Sequence, residues 1–254
     1  MAIEKHALIA ALDEKLRIAD FDDFSNNGLQ VDSSRNAFAK VCSGVDASLE
    51  FFEEAARRGA DLVICHHGLS WGDSLKYVTG ANFKLVSFLV EHKMALWACH
   101  LPLDAHPELG NNAQLCAALG LVNRVPFGHY HGKAIGFAGE LPSPLPRTVF
   151  EEQVKSVVSP AVRTQLFGAE TIRTVGVVSG RAPDLVAEAV RDKLDAFLTG
   201  EADLISYNAC KLERMNVFAP GHYATERFGI RAVGNWIADE FGLAHEFVDF
   251  GIHY

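Results

Sequence analysis

Repeatedly along this chain a short apolar run stops at a glycine or a histidine and gives way to an amphipathic stretch. Asp61-Leu62-Val63-Ile64-Cys65 stops at His66-His67-Gly68, and the run 94–99 stops at His100. Further on, the run 175–178 stops at Ser179-Gly180, 196–198 at Thr199-Gly200-Glu201, and 216–219 at Pro220-Gly221-His222. Continuous apolar runs of this length fit strands covered on both faces, and the amphipathic stretches between them fit crossover helices. That alternation leaves little besides an α/β fold with largely parallel sheets.

The pattern places helices over residues 5–19, 48–58, 82–92 and 112–119, interleaved with strands over 41–45, 61–65 and 94–99. A second series follows, with helices over 183–193, 202–213 and 225–241 and strands over 134–141, 175–178, 196–198 and 216–219. Two similar α/β domains are therefore expected, 1–127 and 128–254, with the boundary near 122–132. Gly128-His129-Tyr130-His131-Gly132 lies in that boundary, and His129 and His131, which could bind metal, are read instead as polar contacts between the domains. Pro142-Ser143-Pro144-Leu145-Pro146 reads as a turn. Thr148-Val149-Phe150-Glu151 reads as a capping box that opens a helix.

Composition narrows the function classes. A chain of 254 residues, 49% hydrophobic, can bury a sizeable core. The formal net charge of -9, without a basic cluster, makes nucleic acid an unlikely partner. No apolar run approaches the roughly 18 residues of a membrane helix, so no membrane partner is expected. The first residues carry an acid and lead into an amphipathic helix, unlike a secretory signal. Five scattered cysteines, without a Cys-x-x-Cys pair, read as reduced thiols of a cytoplasmic protein.

The chemistry-bearing residues gather at the strand ends. In open parallel sheets, ligands bind beyond the carboxyl ends of the strands. His66, His67, His100 and Asp104 follow strands of the first series, and His222 follows one of the second. Glu226 stands four residues past His222, on the same helix face. Adjacent residues of a strand point to opposite faces, so His66 and His67 can share a site only where the strand ends, and Gly68 permits that. A ligand inventory of three of these imidazoles and two carboxylates, without a thiolate, suits Zn, Fe, Mn, Co or Ni. Five ligands for two ions leave positions open for water, which is the arrangement of a hydrolytic centre. Each signal alone has a plain structural alternative: a loop feature, a helix-face pair, or a cap at Asp104. Their shared position at strand ends is what argues for metal. His6, His92, His245 and His253 are read as surface or helix-end residues, and Cys65 and Cys99 as core.

At this point the sequence resembles the Nif-three-like family, whose members are also called GTP cyclohydrolase I type 2 homologues. The resemblance covers nearly the whole chain. Its marks are Asn27-Gly28-Leu29-Gln30-Val31, Gly44-Val45-Asp46-Ala47-Ser48, Asp61 to Gly68, His100-Leu101-Pro102-Leu103-Asp104-Ala105-His106-Pro107, Thr199-Gly200-Glu201 and Gly221-His222-Tyr223-Ala224-Thr225-Glu226. Gly68 stands where many members have proline. The resemblance implies two α/β domains with a dinuclear metal centre in the cleft between them, and a toroidal homohexamer. It carries the metal positions onto His66, His67, Asp104, His222 and Glu226. His100, Asp46 and Glu201 are candidates for proton transfer or for supporting the ligands. Two readings follow. One is a hydrolase that uses two divalent metal ions on a small polar substrate, a nucleotide among the candidates. The other is a non-catalytic metal-binding, metal-insertion or interaction protein.

Overall fold

A computed structural model describes all of residues 1–254. The chain divides into two compact units, residues 1–103 with 230–250, and residues 104–229 with 251–254. Residues 104–127 and 230–250 are those on which this division and a single break at 127/128 differ. No helix is long and apolar enough to cross a membrane.

The first unit is built on five strands in the order Ala244–Phe247, Lys40–Asp46, Leu62–His67, Ala95–Ala98 and Gly28–Val31. Neighbours are parallel except the last pair, which is antiparallel. Leu62 to His66 and Ala95 to Ala98 are buried at every residue, as strands covered on both faces must be. One cover is the helix Leu49–Arg57, capped by Ser48, whose hydroxyl accepts the amide of Phe51 at 3.1 Å. It buries Phe51, Phe52 and Ala55. The Phe51 ring lies where a Cβ on Gly44 would stand, 2.9 Å from that position, so the strand needs glycine there. The first helix, Lys5–Lys15, is shorter than its apolar spacing indicated. Arg17 turns left-handed at φ 52°, and a single 3-10 turn carries Ile18.

His245 departs from the surface role read for it. It sits in the edge strand Ala244–Phe247, its Nε2 2.7 Å from the Ser43 hydroxyl and its Nδ1 3.1 Å from the side-chain Oδ1 of Asn235. Its ring occupies the space over Gly234, where a Cβ would lie 1.9 Å from Nε2. Burial, helped by the charge of Arg231, holds this imidazole down at about 4. An unfolded histidine titrates near 6.5, so between pH 6.5 and 4 the unfolded chain binds a proton that the folded one refuses. Stability therefore falls as pH drops through that window, by at most about 3.5 kcal/mol from this residue at 1.4 kcal/mol per pH unit. Thermal midpoints at pH 7 and 4.5 check it: the acid-induced drop should be smaller in His245→Gln than in wild type.

The second unit carries six strands in the order Val122–Tyr130, Lys133–Pro146, Thr171–Val178, Ala196–Thr199, Asn216–Ala219 and Arg163–Leu166. Thr171–Val178 and Asn216–Ala219 flank Ala196–Thr199 in parallel, and the remaining pairs are antiparallel. Both units are thus α/β, each with a parallel centre and antiparallel pairing toward an edge. Helix Arg147–Val157 buries Phe150 and Val154, and Phe150 meets Phe218 edge to face at 5.0 Å.

Three local expectations change here. Gly128 to Gly132, placed at the domain boundary by the sequence, is the end of a hairpin inside the second unit, with Tyr130 paired to Lys133. His129 binds Glu188 of the same unit at 2.7 Å, and the amides of Gly128 and His129 also donate to that buried carboxylate. Residues 142–146 do not turn: the strand runs on through them, and Leu145 and Pro146 pair with Ile172 and Thr171. The prolines stand at every second residue, so their missing donors share one edge, the arrangement a strand tolerates. Thr148 caps nothing. Its helix begins at Arg147 behind Pro146, without a side-chain cap, and the Arg147 amide is already bound to Glu170. A capping box does form at Asp203, whose carboxylate accepts the Ser206 amide at 2.8 Å while the Ser206 hydroxyl accepts the Asp203 amide.

Candidate metal centre

In the first unit His66 and His67 end the strand Leu62–His67, and His100 follows Ala95–Ala98. At this strand end the two adjacent imidazoles come together, ring centroids 4.6 Å apart, and His100 stands 5.1 and 5.7 Å from them. One ring nitrogen from each of the three lies within 4.8 Å of the others. Gly68 is required for space rather than for a turn: a Cβ there would come within 2.6 Å of the Ala98 Cβ and 2.2 Å of the Gln30 amide.

Every imidazole in the set is oriented through Nδ1. His66 Nδ1 lies 2.9 Å from the carbonyl of Cys99, which can only accept, so Nδ1 carries the hydrogen and Nε2 the lone pair. His67 Nδ1 lies 2.8 Å from Asp46, and His100 Nδ1 lies 3.0 Å from Asp23. Asp23 is buried and also accepts the amides of Leu101 and Ser25 and the Asn27 side chain. Burial pushes its carboxyl up, but His100 and these donors outweigh it and hold Asp23 at about 2, ionised at any physiological pH.

In the second unit the same logic recurs. His222 is the first residue of the helix His222–Phe241, three residues earlier than the spacing indicated. Its Nδ1 lies 2.6 Å from Glu201 and its Nε2 3.2 Å from Glu226, one turn along the helix. Burial works to lower the His222 imidazole, yet Glu226 and Glu201 more than offset it and raise it to about 9. Two carboxylates thus converge on this imidazole, which marks it as a place built for positive charge. The turn Ser179-Gly180 packs against it. A Cβ on Gly180, whose φ is 65°, would lie 2.2 Å from Glu226 Oε1 and 3.2 Å from His222 Nε2. The Ser179 hydroxyl donates to Asp104 Oδ1 at 3.0 Å, and the Asn111 side chain donates to the same oxygen at 2.9 Å.

The donor set fits divalent transition ions. Four imidazoles present Nε2 while an oxygen holds Nδ1, the orientation metal-bound histidines need. In the second unit Glu226, against His222, is buried, as is Asp104, and the Gly180 cradle leaves no Cβ in the way. Asp46 and Glu201 are where a supporting role would put them, against His67 and His222. Sequence reasoning missed Asp23, Asn111 and Asn112. Nothing in Asp22-Asp23 or Asn111-Asn112 distinguishes them from loop residues. Their partners are remote in sequence: His100 stands 77 residues from Asp23, and Ser179 stands 67 from Asn112. Asn112 is fully buried. It accepts the Ser179 amide at 2.6 Å and donates to the carbonyl of Ile135 at 2.7 Å. Removing it strands buried polar groups at roughly 1–3 kcal/mol each. Asn112→Ala is expected to lose about 2–4 kcal/mol, measurable by denaturant unfolding.

Comparison with known proteins bears on the family and the fold. The sequence model of Duf34/NIF3 (NGG1p interacting factor 3) matches residues 3–251. A protein of Deinococcus radiodurans named GTP cyclohydrolase 1 type 2 homolog is 39% identical over 98% of this chain and 94% of its own length. One of the same name from Pyrococcus abyssi is 37% identical over 97% of this chain and 98% of its own. Among solved structures, TTHA1606 from Thermus thermophilus superposes with a TM-score of 0.91 at 31% identity, covering 99% of this chain and all of that one (100%). Protein ybgI, described as of unknown function, superposes with a TM-score of 0.93 at 32% identity, with 99% and 100% covered.

Proposed function

This chain belongs to the Duf34/NIF3 family, and from that membership and the imidazole geometry we propose a dinuclear metal-dependent hydrolase of a small polar substrate of the nucleotide class. The observation that carries the reading is the set of histidines held through Nδ1 by an oxygen, with Nε2 of His222 set against the buried carboxylate of Glu226. His66, His67, Asp104, His222 and Glu226 would hold two divalent ions of the Zn, Fe, Mn, Co or Ni group. Such ions supply Lewis acidity, lowering the pKa of water toward neutrality and neutralising charge on a developing oxyanion.

The chain's own residues supply the rest. Asp23 fixes the Nδ1 hydrogen of His100 and keeps Nε2 as a proton acceptor, the base for an attacking water. His100 also has the geometry of a sixth ligand. We assign it to proton transfer because five ligands on two ions keep positions open for water and substrate. His100→Asn should therefore keep both metals and lower kcat, whereas a ligand role would lower metal content. Asp46 and Glu201 hold His67 and His222 in orientation.

The assembly we propose is a homohexamer in the cytoplasm. Five buried thiols outside any disulfide, pushed to about 11 or 12 at Cys42, Cys116 and Cys210 by burial, suit a reducing compartment. The edge strand Val122–Tyr130 leaves Val122, Val125 and Tyr130 exposed, surface that self-association would cover. Light scattering should give the mass of six chains; a monomer at micromolar concentration contradicts it. The function is tested on a panel of nucleotides and esters. Turnover should vanish with a chelator and return with a divalent transition ion. Full metal loading without turnover of any substrate would favour a metal-insertion or interaction role.

A further inference from the structure

Beside the histidines of the first unit stands an aromatic surface that no metal chemistry uses. The Trp71 ring centroid lies 5.0 Å from that of His100, edge-on at 70°, and 5.8 Å from that of His67. Phe24 lies 6.5 Å beyond Trp71, tilted by 36°. Phe24 is 72% exposed, and with Trp71 it makes a contiguous apolar surface rather than a lone exposed ring.

The loop carrying Trp71 is tied down. The indole Nε1–H donates to the carbonyl of Gly68 at 2.8 Å, and the Trp71 amide donates to the Ser74 hydroxyl at 2.8 Å. Ser25 bridges Trp71, the Gly72 amide donates to the carbonyl of Phe24, and the Asn26 side chain donates to Ser70 Oγ and the Gly72 carbonyl. Gly72, at φ 47°, lies under the Phe24 ring, where a Cβ would come within 2.8 Å. Two segments joined by bonds that span 44 and 46 residues of sequence are thereby stitched into one rigid corner. The indole's single polar group is satisfied inward, so what the ring offers a visitor is its apolar surface.

We propose that Trp71, backed by Phe24, is a stacking platform for a planar heteroaromatic ring of the substrate, a purine or a ring of like size. This deepens the hydrolase reading and rests on it for the substrate's place next to His67 and His100. A ring stacked on Trp71 would put the atoms attached to it beside those imidazoles. The platform offers stacking without a free donor or acceptor on the indole, so it selects for planarity rather than for one base. Guanosine and adenosine should bind within a few-fold of each other, and ribose should not bind.

The test is tryptophan fluorescence of the full chain, titrated with guanosine, adenosine or ribose, on the metal-loaded protein and again after chelation. Both nucleosides should quench emission in both forms, because neither aromatic residue is a metal ligand. Trp71→Leu should weaken nucleoside binding, followed by equilibrium dialysis, by about 10-fold or more, the scale of base–aromatic stacking. Trp71→Phe should recover most of it. Phe24→Ala, on an exposed side chain, should weaken it less and leave the thermal midpoint in place, and it serves if Trp71→Leu fails to fold. Unchanged nucleoside affinity in Trp71→Leu or, with that variant unfolded, in Phe24→Ala overturns the platform, as does ribose binding as tightly as guanosine. A fall in oligomeric mass in these variants would also overturn it, by assigning the surface to a second copy of the chain. Hydrolysis is a separate readout: quenching that persists without turnover counts against the hydrolase and leaves the platform standing.

Discussion

Glu226→Gln is expected to lower metal affinity about 100-fold or more and to abolish hydrolysis. An amide oxygen lacks the charge that offsets two cations, and loss of supporting groups alone typically costs 10–100-fold. Glu226 is 3% exposed, and it is one of two carboxylates that hold His222 up at about 9. The control is His129→Ala. His129 is another histidine bonded to a carboxylate, but its partner Glu188 serves the hairpin amides and its side chain is 56% exposed. Elemental analysis of the two purified variants decides between them. Equal retention of both metals would remove Glu226 from the ligand set.

Gly180→Ala should do more than its size suggests. A left-handed φ of 65° costs an alanine roughly 1–2 kcal/mol. The added methyl would also stand 2.2 Å from Glu226 Oε1, in the space the carboxylate occupies. Gly59→Ala separates the two effects. Gly59 has a similar φ of 74° with nothing within 4 Å of its Cβ position, so it carries the backbone cost alone. Gly59→Ala should lose about 1 kcal/mol and keep full metal content. Gly180→Ala should lose stability and at least 10-fold in metal affinity. Equal metal binding by the two variants would show that the Gly180 cradle has no part in the centre.

How much of this was legible in the sequence depends on the range over which each signal acts. The central strands were readable because burial on both faces writes a continuous apolar run, as in Leu62 to Cys65 and Asn216 to Ala219. Edge strands escaped notice. Val122–Tyr130 and Arg163–Leu166 expose much of their length and carry arginine, asparagine and proline. Proline at 142, 144 and 146 read as a turn because local propensity cannot see that one edge of the strand is left without donors. Two of the three crossings of the chain between units lie inside the helices Leu101–Ala105 and His222–Phe241, where no glycine- or proline-rich linker marks them, and the third falls at Phe250/Gly251. Histidines at strand ends were legible as ligand types at the right places. Their orienting partners were legible only in part: Asp46 and Glu201 sit at strand ends themselves, whereas Asp23 and the carbonyl of Cys99 become partners only on folding.

Where metal binds is the decisive question. Crystals of the chain loaded with zinc or manganese, measured at the absorption edge of that metal, locate the ions directly. Two anomalous peaks per chain are expected, roughly 3.5–4 Å apart, ligated by His66, His67, Asp104, His222 and Glu226. Peaks that avoid these five side chains, or a fully loaded protein with none beside them, would contradict the dinuclear centre.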